Sequence, residues 1–375
     1  MTRRTALAKS LKITKLNAAL YFTVCALALS LSANATTIIK FNAPGAGTCC
    51  GRGTFPLAIN PAGVVAGYYI DSNSLYHGFS RATDGIISSI NDPDAGTRDG
   101  QGTVALSINQ TGTITGYYYD ASSVAHGYVL AVNGTFTEFD PTGSVGTFAE
   151  NINAAGTIAG SYDDSSGVSH GFERTTDGAI TSFDAPGAGA FSGQGTFTCN
   201  ADCINTAGAI AGYYMDPKGV FHGYLRGGNG AITSFDAAGA GTAEGQGTVV
   251  FGINGSGTIT GEYIDSNNVD HGFVRSANGT ITEFDVTGAG TELGQGTVPI
   301  SINASGVIVG LYIDVSDIVH GFQRAVGGGI TTFNVPGGGT GFGEGTVPSS
   351  NSPGNQIVGR YIDNNGVSHG FLLIP

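Results

Sequence analysis

Apolar and polar positions alternate along most of the chain in short runs, and turn-forming residues separate one run from the next. Representative runs are TITGEYID (258–265), VDHGFVR (269–275), TITEFD (280–285) and VPISIN (298–303). Short runs rich in β-branched and aromatic residues, bounded by Gly, Asn and Asp, predict β-strands. In TITEFD the Ile and the Phe are three positions apart, so they lie on opposite faces of the strand. The predicted sheets are therefore apolar on both faces and need neighbouring sheets to cover them.

The same four runs recur seven times. Every His is followed by Gly and then Phe or Tyr, an Asp lies six residues before each His, and a Tyr lies two residues before each Asp. Successive His residues are 49, 44, 52, 49, 49 and 49 residues apart. The repeated residues are Tyr69, Asp71, His77, Tyr118, Asp120, His126, Tyr162, Asp164, His170, Tyr214, Asp216, His222, Tyr263, Asp265, His271, Tyr312, Asp314, His320, Tyr361, Asp363 and His369. Fixed offsets over this many copies indicate a repeat architecture with the consensus INxxGxIxGxYxDxxxxxHGFxRxxxGxITxFD.

Turn chemistry joins the four runs of each repeat into a meander. Pairs such as Asp84-Gly85 and Asn278-Gly279 separate the third and fourth runs and predict type I′ hairpin turns. An Asn-x-x-Gly segment separates the first and second runs, and in the last repeat Asn355 takes the place of the Gly. Four antiparallel strands per repeat are typical of a β-propeller blade. A β-helix has a shorter repeat without tight hairpins, and the uninterrupted repeat disfavours two separate domains.

The two ends of the repeat array complement each other. The last repeat stops after its third strand, at HGFLLIP (369–375). The segment TTIIKFNAPGAGT (36–48) has the pattern of a fourth strand, as comparison with AITSFDAPGAGA (179–190) indicates. We therefore expect one all-β domain over residues 36–375, a seven-bladed β-propeller of four-stranded antiparallel blades, closed by the N-terminal strand completing the C-terminal blade.

Residues 1–35 differ from the repeats. Five basic residues between Arg3 and Lys15 precede an apolar run over 18–31, and Ala33-Asn34-Ala35 follows. This order is typical of a secretory signal peptide. The apolar run is shorter than the ~20 residues that a membrane-spanning helix needs, and Val24 before Cys25 disfavours a lipoprotein. We expect a secreted protein, extracellular or periplasmic, without a membrane anchor after cleavage.

Charge and cysteine content restrict the partners and cofactors. Residues 1–35 hold five of the 15 Lys and Arg and none of the 28 Asp and Glu, so residues 36–375 carry a formal net charge of −18. Such a surface repels nucleic acid and anionic lipid. Cys199 and Cys203 are spaced for a local disulfide, whereas Cys49 and Cys50 either form a strained vicinal bridge or pair elsewhere. The absence of a nearby His and the adjacent and C-x3-C spacings disfavour zinc.

The His-Gly-Phe or His-Gly-Tyr triplet, preceded by an INxxGxxxG run, resembles the exported bacterial HAF-type repeat proteins, which are named for a His-Ala-Phe signature. The resemblance covers residues 36–375, although Gly replaces the Ala and the chain has no Trp. It implies an extracellular, propeller-like protein and no particular activity.

The repeated Tyr, Asp and His residues include acid and base groups of the kind that sugar lyases use. Their presence in every repeat favours a structural role, in which the Asp bonds the backbone of the turn that follows it. Calcium needs about six to eight oxygen ligands, more than a turn such as Asp71-Ser72-Asn73 supplies, so we expect no metal there. The Gly-rich connectors lack the Lys and the helix of a phosphate-binding loop, so no cofactor is expected. Five Arg residues two positions after the aromatic suggest packing or ion pairing; they are Arg81, Arg174, Arg226, Arg275 and Arg324.

A localised function is expected where the repeats differ. The connector 141–151 is five residues shorter than its equivalents, and the next one is three residues longer and includes Cys199 and Cys203. Both connectors join a fourth strand to the next first strand, so we expect a notch on one face, around the third repeat, with the cysteine loop as one wall. The favoured function is a secreted binding or scaffold protein for an extracellular polysaccharide or protein. The alternative is a carbohydrate-active enzyme, a polysaccharide lyase or hydrolase with its site on the propeller face. Binding is favoured because no repeat shows its own cluster of ionisable residues.

Overall fold

The computed structural model describes residues 36–49, 51–199 and 202–375, and every regular element in them is a β-strand. The predicted signal peptide and Cys50 lie outside the described residues. The strands are β1 (Thr37–Phe41), β2 (Gly53–Ile59), β3 (Val65–Ile70), β4 (Tyr76–Arg81), β5 (Ile87–Ile90), β6 (Gly102–Ile108), β7 (Ile114–Tyr119), β8 (Ala125–Leu130), β9 (Phe136–Phe139), β10 (Ser144–Ile152), β11 (Ile158–Asp164), β12 (Ser169–Arg174), β13 (Ile180–Phe183) and β14 (Gly195–Thr198). They continue with β15 (Ile210–Met215), β16 (Phe221–Arg226), β17 (Ile232–Phe235), β18 (Gly247–Ile253), β19 (Ile259–Ile264), β20 (Asp270–Arg275), β21 (Ile281–Phe284), β22 (Gly296–Ile302), β23 (Ile308–Ile313), β24 (Val319–Arg324), β25 (Ile330–Phe333), β26 (Gly345–Asn351), β27 (Ile357–Ile362) and β28 (Ser368–Ile374).

Consecutive strands pair antiparallel in sets of four, as the repeat predicts. Unit 1 is β2–β5, unit 2 is β6–β9, unit 3 is β10–β13, unit 4 is β14–β17, unit 5 is β18–β21 and unit 6 is β22–β25. Unit 7 consists of β26, β27, β28 and the N-terminal strand β1. The arrangement is all-β and propeller-like, and no helix of the described part of the chain has the length and apolarity to cross a membrane.

The first strand of the chain pairs with the last. Thr37 lies opposite Ile374, Ile39 opposite Leu372, and Phe41 opposite Gly370. The edge that the incomplete last repeat leaves open is thus covered by the segment predicted to be its fourth strand. One further contact links neighbouring units, a parallel bridge from the start of a third strand to the start of the next first strand, as between Tyr76 and Gly102.

The core lies between the units. The aromatic residue after each His-Gly pair is fully buried, at Phe79, Tyr128, Phe172, Tyr224, Phe273, Phe322 and Phe371. In most units this ring meets the edge of the Phe that ends the fourth strand of the preceding unit; Phe41 and Phe79, for example, have ring centroids 6.4 Å apart. Each sheet therefore buries both faces against its neighbours, as the strand pattern requires.

The repeated Arg side chains pack on the same Phe rings. The guanidinium of Arg275 lies 4.6 Å from the centroid of Phe235, and Arg81, Arg174, Arg226 and Arg324 lie similarly over Phe41, Phe139, Phe183 and Phe284. Arg226 also forms an ion pair with Glu173 at 2.8 Å. The series therefore contributes cation–π packing between units, and one member adds a charge pair.

The hairpin turns differ from the predicted type I′. In the turn between β4 and β5 the Gly85 N–H donates to the carbonyl of Ala82. Gly85 has a φ of 93°, whereas the φ of Asp84 is negative. The loop has about three residues, whereas a type I′ hairpin has two, so the turn is a type I turn followed by a Gly in the left-handed conformation. In the last unit Asn355 has a φ of 60°, which agrees with its expected role in place of Gly.

Candidate functional site

The repeated Tyr, Asp and His side chains come together within each unit. In unit 5 the ring of His271 stacks on Tyr263 with centroids 4.8 Å apart, and its Nε2 lies 3.8 Å from Asp265. Its Nδ1 shares a hydrogen bond at 3.0 Å with Asp285, the residue that follows the fourth strand. The other units repeat this set with an Asp or Asn as the Nδ1 partner; in unit 7 that partner is Asn42, from the N-terminal segment.

In units 6 and 7 both imidazole nitrogens are hydrogen-bonded. In unit 6, for example, His320 contacts Asn334 at 2.9 Å through Nδ1 and Asp314 at 3.0 Å through Nε2. An imidazole held on both nitrogens and stacked on a Tyr orders the hairpin between the second and third strands. The geometry leaves no unpaired nitrogen in this unit to act as an acid or base toward a substrate.

The repeated Asp residues form the expected Asx turns. Oδ1 of Asp265 accepts hydrogen bonds from the backbone N–H groups of Asn267 and Val269, at 2.8 and 2.9 Å. Partial burial raises the pKa of Asp265, but these hydrogen bonds and the nearby His outweigh it, so the net pKa is lowered. The pKa is also lowered at Asp71, Asp164, Asp216, Asp314 and Asp363.

We expect these carboxylates to make the protein acid-sensitive. A lowered native pKa contributes stability that is complete above the ordinary value of 3.8 and is lost as the pH falls through the native pKa. The change Asp265→Asn keeps an acceptor for both N–H groups but removes the charge. It should lower the melting temperature by about 1–3 °C at pH 6, and the difference from the unmodified protein should narrow toward pH 2.5.

Thermal unfolding followed by circular dichroism between pH 7 and 2.5 measures this effect. Asp99→Asn, at an exposed connector position, is the control and should leave the pH profile unchanged. A constant difference between Asp265→Asn and the unmodified protein over this range would contradict the expected loss of a charge-dependent contribution.

A second repeated feature is a chain of Asn side chains that links the units. Oδ1 of Asn254 accepts the N–H groups of its own turn, at Ser256 and Thr258. Its Nδ2 donates to the backbone carbonyl of Asn303 in the next unit, at 3.3 Å. Equivalent bonds run from Asn60 to Asn109, Asn109 to Asn153, Asn153 to Asn205, Asn205 to Asn254, and Asn303 to Ser352.

All seven units converge on one cavity beside these Asn residues, which we call the central cavity. Its volume is about 350 Å³. The Ile-Asn pairs that end the first strands line most of it, and unit 7 contributes Asn351 and Pro353. Equivalent residues from all seven units therefore line one shared cavity.

The cysteine loop lies at the central cavity. Cys199 and Cys203 form a disulfide with Cα atoms 5.3 Å apart, and Asp202 between them lines the cavity. The backbone carbonyl of Asp202 accepts the N–H of Ile253 in unit 5, and its Oδ2 accepts the hydroxyl of Ser301 in unit 6 at 2.9 Å. Cys49 is exposed and Cys50 is not described, so their pairing stays a prediction.

This location corrects the predicted notch. The three extra residues do not lie in a connector but between Thr198, where β14 ends, and Ile204, which pairs with Ile210 of the second strand of unit 4. The loop therefore opens beside the turns between first and second strands, on the face opposite the connectors and the Asp turns. The distance between successive His residues cannot distinguish an insertion in a connector from one in a strand, and for this reason the notch hypothesis is wrong about the cysteine wall.

Asp202 has an unusual environment for a charged residue. Its φ is 45°, which is rare for a residue with a side chain. Solvent in the cavity reaches the residue, yet the surrounding protein desolvates its carboxyl and raises its pKa, while the Ser301 hydroxyl opposes that shift. The loop thus holds one acidic group over a cavity whose other described lining residues are uncharged.

Two further acidic positions occur in single units. Glu150 in β10 is buried and accepts hydrogen bonds from the hydroxyls of Ser161 and Thr198, and burial raises its pKa. In unit 5, burial raises the pKa of Glu262 and the neighbouring Asp270 raises it further. The expectation that no unit carries its own ionisable cluster is therefore wrong, because Glu262 and Asp270 lie on one face of adjacent strands.

Sequence reasoning missed these residues because it followed the positions that all repeats share. The residues equivalent to Glu262 are Tyr68, Tyr117, Ser161, Tyr213, Leu311 and Arg360. Aligning the seven copies and searching for an acidic residue present in only one of them would have found Glu262, Glu150 and Asp202.

Strand pairing and the shared central cavity define an all-β, propeller-like protein. No protein-family model matches the chain, and no curated protein sequence matches it. Among solved structures it is similar to virginiamycin B lyase from Staphylococcus aureus, with 14% identity over 91% of this chain and 100% of that chain and a TM-score of 0.57. It is also similar to the BP39L lectin from Burkholderia pseudomallei, with 9% identity over 72% of this chain and 81% of that chain and a TM-score of 0.48. At these identities the likeness concerns the fold alone.

Proposed function

We propose that residues 36–375 form a closed seven-bladed β-propeller of an exported protein, and that it binds an extracellular glycan at its central cavity. The β1–β28 pairing and the four-stranded units support the closed ring. The basic and apolar order of residues 1–35 supports export, and the INxxG and His-Gly-Phe pattern supports a relationship to the HAF-type repeat proteins. The binding function belongs to the whole ring, because every unit contributes to the cavity.

One observation carries the binding proposal: the disulfide-bounded loop of unit 4 holds Asp202 in the central cavity by contacts to units 5 and 6. A carboxylate and backbone carbonyls accept hydrogen bonds from the hydroxyls of a sugar, and the Ile side chains offer apolar surface to its ring carbons. The net charge of −18 for residues 36–375 repels polyanions, so the ligand is a neutral glycan.

A glycan array probed with the purified protein tests the proposal. The change Asp202→Ala removes a carboxylate that accepts hydrogen bonds from the ligand. A hydrogen bond to a charged group contributes about 1.5–3 kcal/mol, so we expect glycan affinity to fall at least about tenfold. The double change Cys199→Ser, Cys203→Ser should weaken binding as well, because the loop is no longer fixed. Asp99→Asn serves as the control and keeps full affinity.

Unchanged glycan affinity in a folded Asp202→Ala protein would contradict this location. If the purified protein binds no glycan but binds an extracellular protein, the ligand is a protein and the glycan proposal is wrong.

The pair of Glu262 and Asp270 favours a second candidate function, a carbohydrate-active lyase or hydrolase. Burial raises the pKa of both Glu262 and Asp270, and a carboxyl with a raised pKa is suited to general acid catalysis. Oε2 of Glu262 is buried without a hydrogen-bond partner among the described residues. Release of reducing ends from a polysaccharide by the unmodified protein, abolished by Glu262→Gln, is the result that would place catalysis above binding.

A further inference from the structure

The connector between β5 and β6 carries two Asp residues that the other repeats lack. Asp92 and Asp94 lie in the segment NDPD (91–94). The other repeats have Ala, Pro or Val at the position of Asp92 and Gly at the position of Asp94. Their segments are NAPG (42–45), DPTG (140–143), DAPG (184–187), DAAG (236–239), DVTG (285–288) and NVPG (334–337). Since the other six connectors have no carboxylate at either position, the packing that the repeats share does not require Asp92 or Asp94.

These residues face a third carboxylate. Oxygen atoms of Asp92, Asp94 and Glu138 in β9 all lie within 4.8 Å of one another. The Tyr118 hydroxyl donates a hydrogen bond to Oε2 of Glu138 at 2.9 Å, which fixes that side chain. Together they form a cluster of oxygen ligands with one side open to solvent, since Asp94 and Glu138 are exposed.

Asp92 is the unusual member of this cluster. It is only 4% exposed, and its Oδ1 accepts the backbone N–H of Asp94 at 3.0 Å. Its Oδ2 is buried, and no hydrogen-bond donor reaches it from any residue that the structure describes. A buried carboxylate oxygen without a donor is costly unless a cation or a proton meets it.

The arrangement of the three carboxyl groups favours a shared cation. Burial and the carboxyls of Glu138 and Asp94 raise the pKa of Asp92 to about 6. Oxygen atoms of three carboxyl groups thus face one another within a few ångströms, and a shared cation would relieve their mutual repulsion.

Unit 7 places a positive charge at the equivalent position. Lys40 occupies the place of Glu138, and its Nζ donates to the carbonyl of Pro336 at 3.1 Å and lies 5.6 Å from the ring centroid of Tyr361, the equivalent of Tyr118. The same Nζ is 3.7 Å from where a Cβ on Gly337, the equivalent of Asp94, would lie. The fold thus accommodates a cation between the fourth strand and the connector.

We propose that Asp92, Asp94 and Glu138 bind a Ca²⁺ ion, which takes in unit 2 the place that the Lys40 ammonium takes in unit 7. All three ligands are carboxylate oxygens, which hard cations prefer, and Ca²⁺ tolerates an irregular set completed by water. The ion ties the connector that follows unit 1 to the outermost strand of unit 2. The site is distinct from the central cavity and from the Asp turns.

Terbium luminescence and calorimetry test the site. Tb³⁺ substitutes for Ca²⁺ and emits when a nearby Tyr transfers energy to it, and with no Trp in the chain Tyr118 is the adjacent donor. We expect Tb³⁺ emission that Ca²⁺ displaces, and a calorimetric Kd for Ca²⁺ of about 10⁻⁴–10⁻³ M, as in extracellular calcium modules. The isosteric Asp92→Asn should weaken Ca²⁺ binding at least tenfold.

Unit 5 offers a matched control. There Tyr263 also donates to a Glu, Glu283, but the connector has Ala237 and Gly239, and the Gly239 N–H donates to the Glu283 carboxylate. Glu283→Gln should leave Ca²⁺ affinity and Tb³⁺ emission unchanged. The proposal is wrong if the protein shows no saturable Ca²⁺ binding up to about 10 mM, or if a folded Asp92→Asn variant binds Ca²⁺ as tightly as the unmodified protein. In either case the three carboxyl groups would be held together by a shared proton instead of a cation.

Discussion

Deleting residues 36–48 is expected to lower the melting temperature of the protein by more than about 10 °C. The deletion removes β1 and its five residue pairs with β28. It also exposes the edge and apolar side chains of β28, where Phe371, Leu372 and Leu373 are buried in the intact protein. A long apolar edge strand invites association with other chains, so aggregation should accompany the loss of stability.

Thermal unfolding of residues 36–375 and of residues 49–375 measures the effect, with the longer fragment as the reference. A synthetic peptide of residues 36–48, added in excess to the shorter fragment, should restore part of the lost melting temperature. Equal melting curves for the two fragments would show that β1 does not complete the last unit.

The second large effect is expected for Gly247→Ala, at the junction between units 4 and 5. Gly247 pairs with Phe221 in a parallel bridge and has a φ of 125°. A Cβ there would lie 2.0 Å from the backbone carbonyl oxygen of Phe221, which no side-chain movement relieves. Backbone strain and the collision together should cost about 3 kcal/mol or more, and lower the melting temperature by about 5 °C or more.

Gly245 is the matched control for this change. It lies two residues earlier, in the connector before β18, has a φ of 77°, and has no atom within 4 Å of an added Cβ. Because Asn adopts such a conformation readily, Gly245→Asn should cost less than about 1 kcal/mol. Similar melting temperatures for Gly247→Ala and Gly245→Asn would contradict a tight junction between the units.

The strands and their pairing could be predicted because every repeat carries the same local signals. Alternation in runs such as TITEFD, together with the Gly-containing turns, fixes a four-stranded meander, and the missing fourth strand of the last repeat identifies the partner of β1. The turn type could not be predicted as easily. A Gly preceded by Asp or Asn suits both a type I′ turn and a type I turn with a left-handed Gly, and the loop length decides between them.

The candidate sites depend on contacts between units, which the repeat pattern does not contain. Asp202 reaches Ser301 across 99 residues, and Asp92 meets Glu138 across the junction of units 1 and 2. Glu262 and Asp270 are closer in sequence, but their proximity follows from the diagonal positions that strand register gives them. The shared Tyr, Asp and His residues indicate how each unit holds together, whereas the residues unique to single units indicate where the units differ from one another.

A crystal structure of residues 36–375 is the most direct test of head-to-tail closure. We expect seven four-stranded sheets around the central cavity, with Thr37–Phe41 antiparallel to the end of β28 and Ile39 opposite Leu372. Electron density in which residues 37–41 are not paired with residues 370–374, or a ring with any other number of sheets, would contradict the closed seven-bladed propeller.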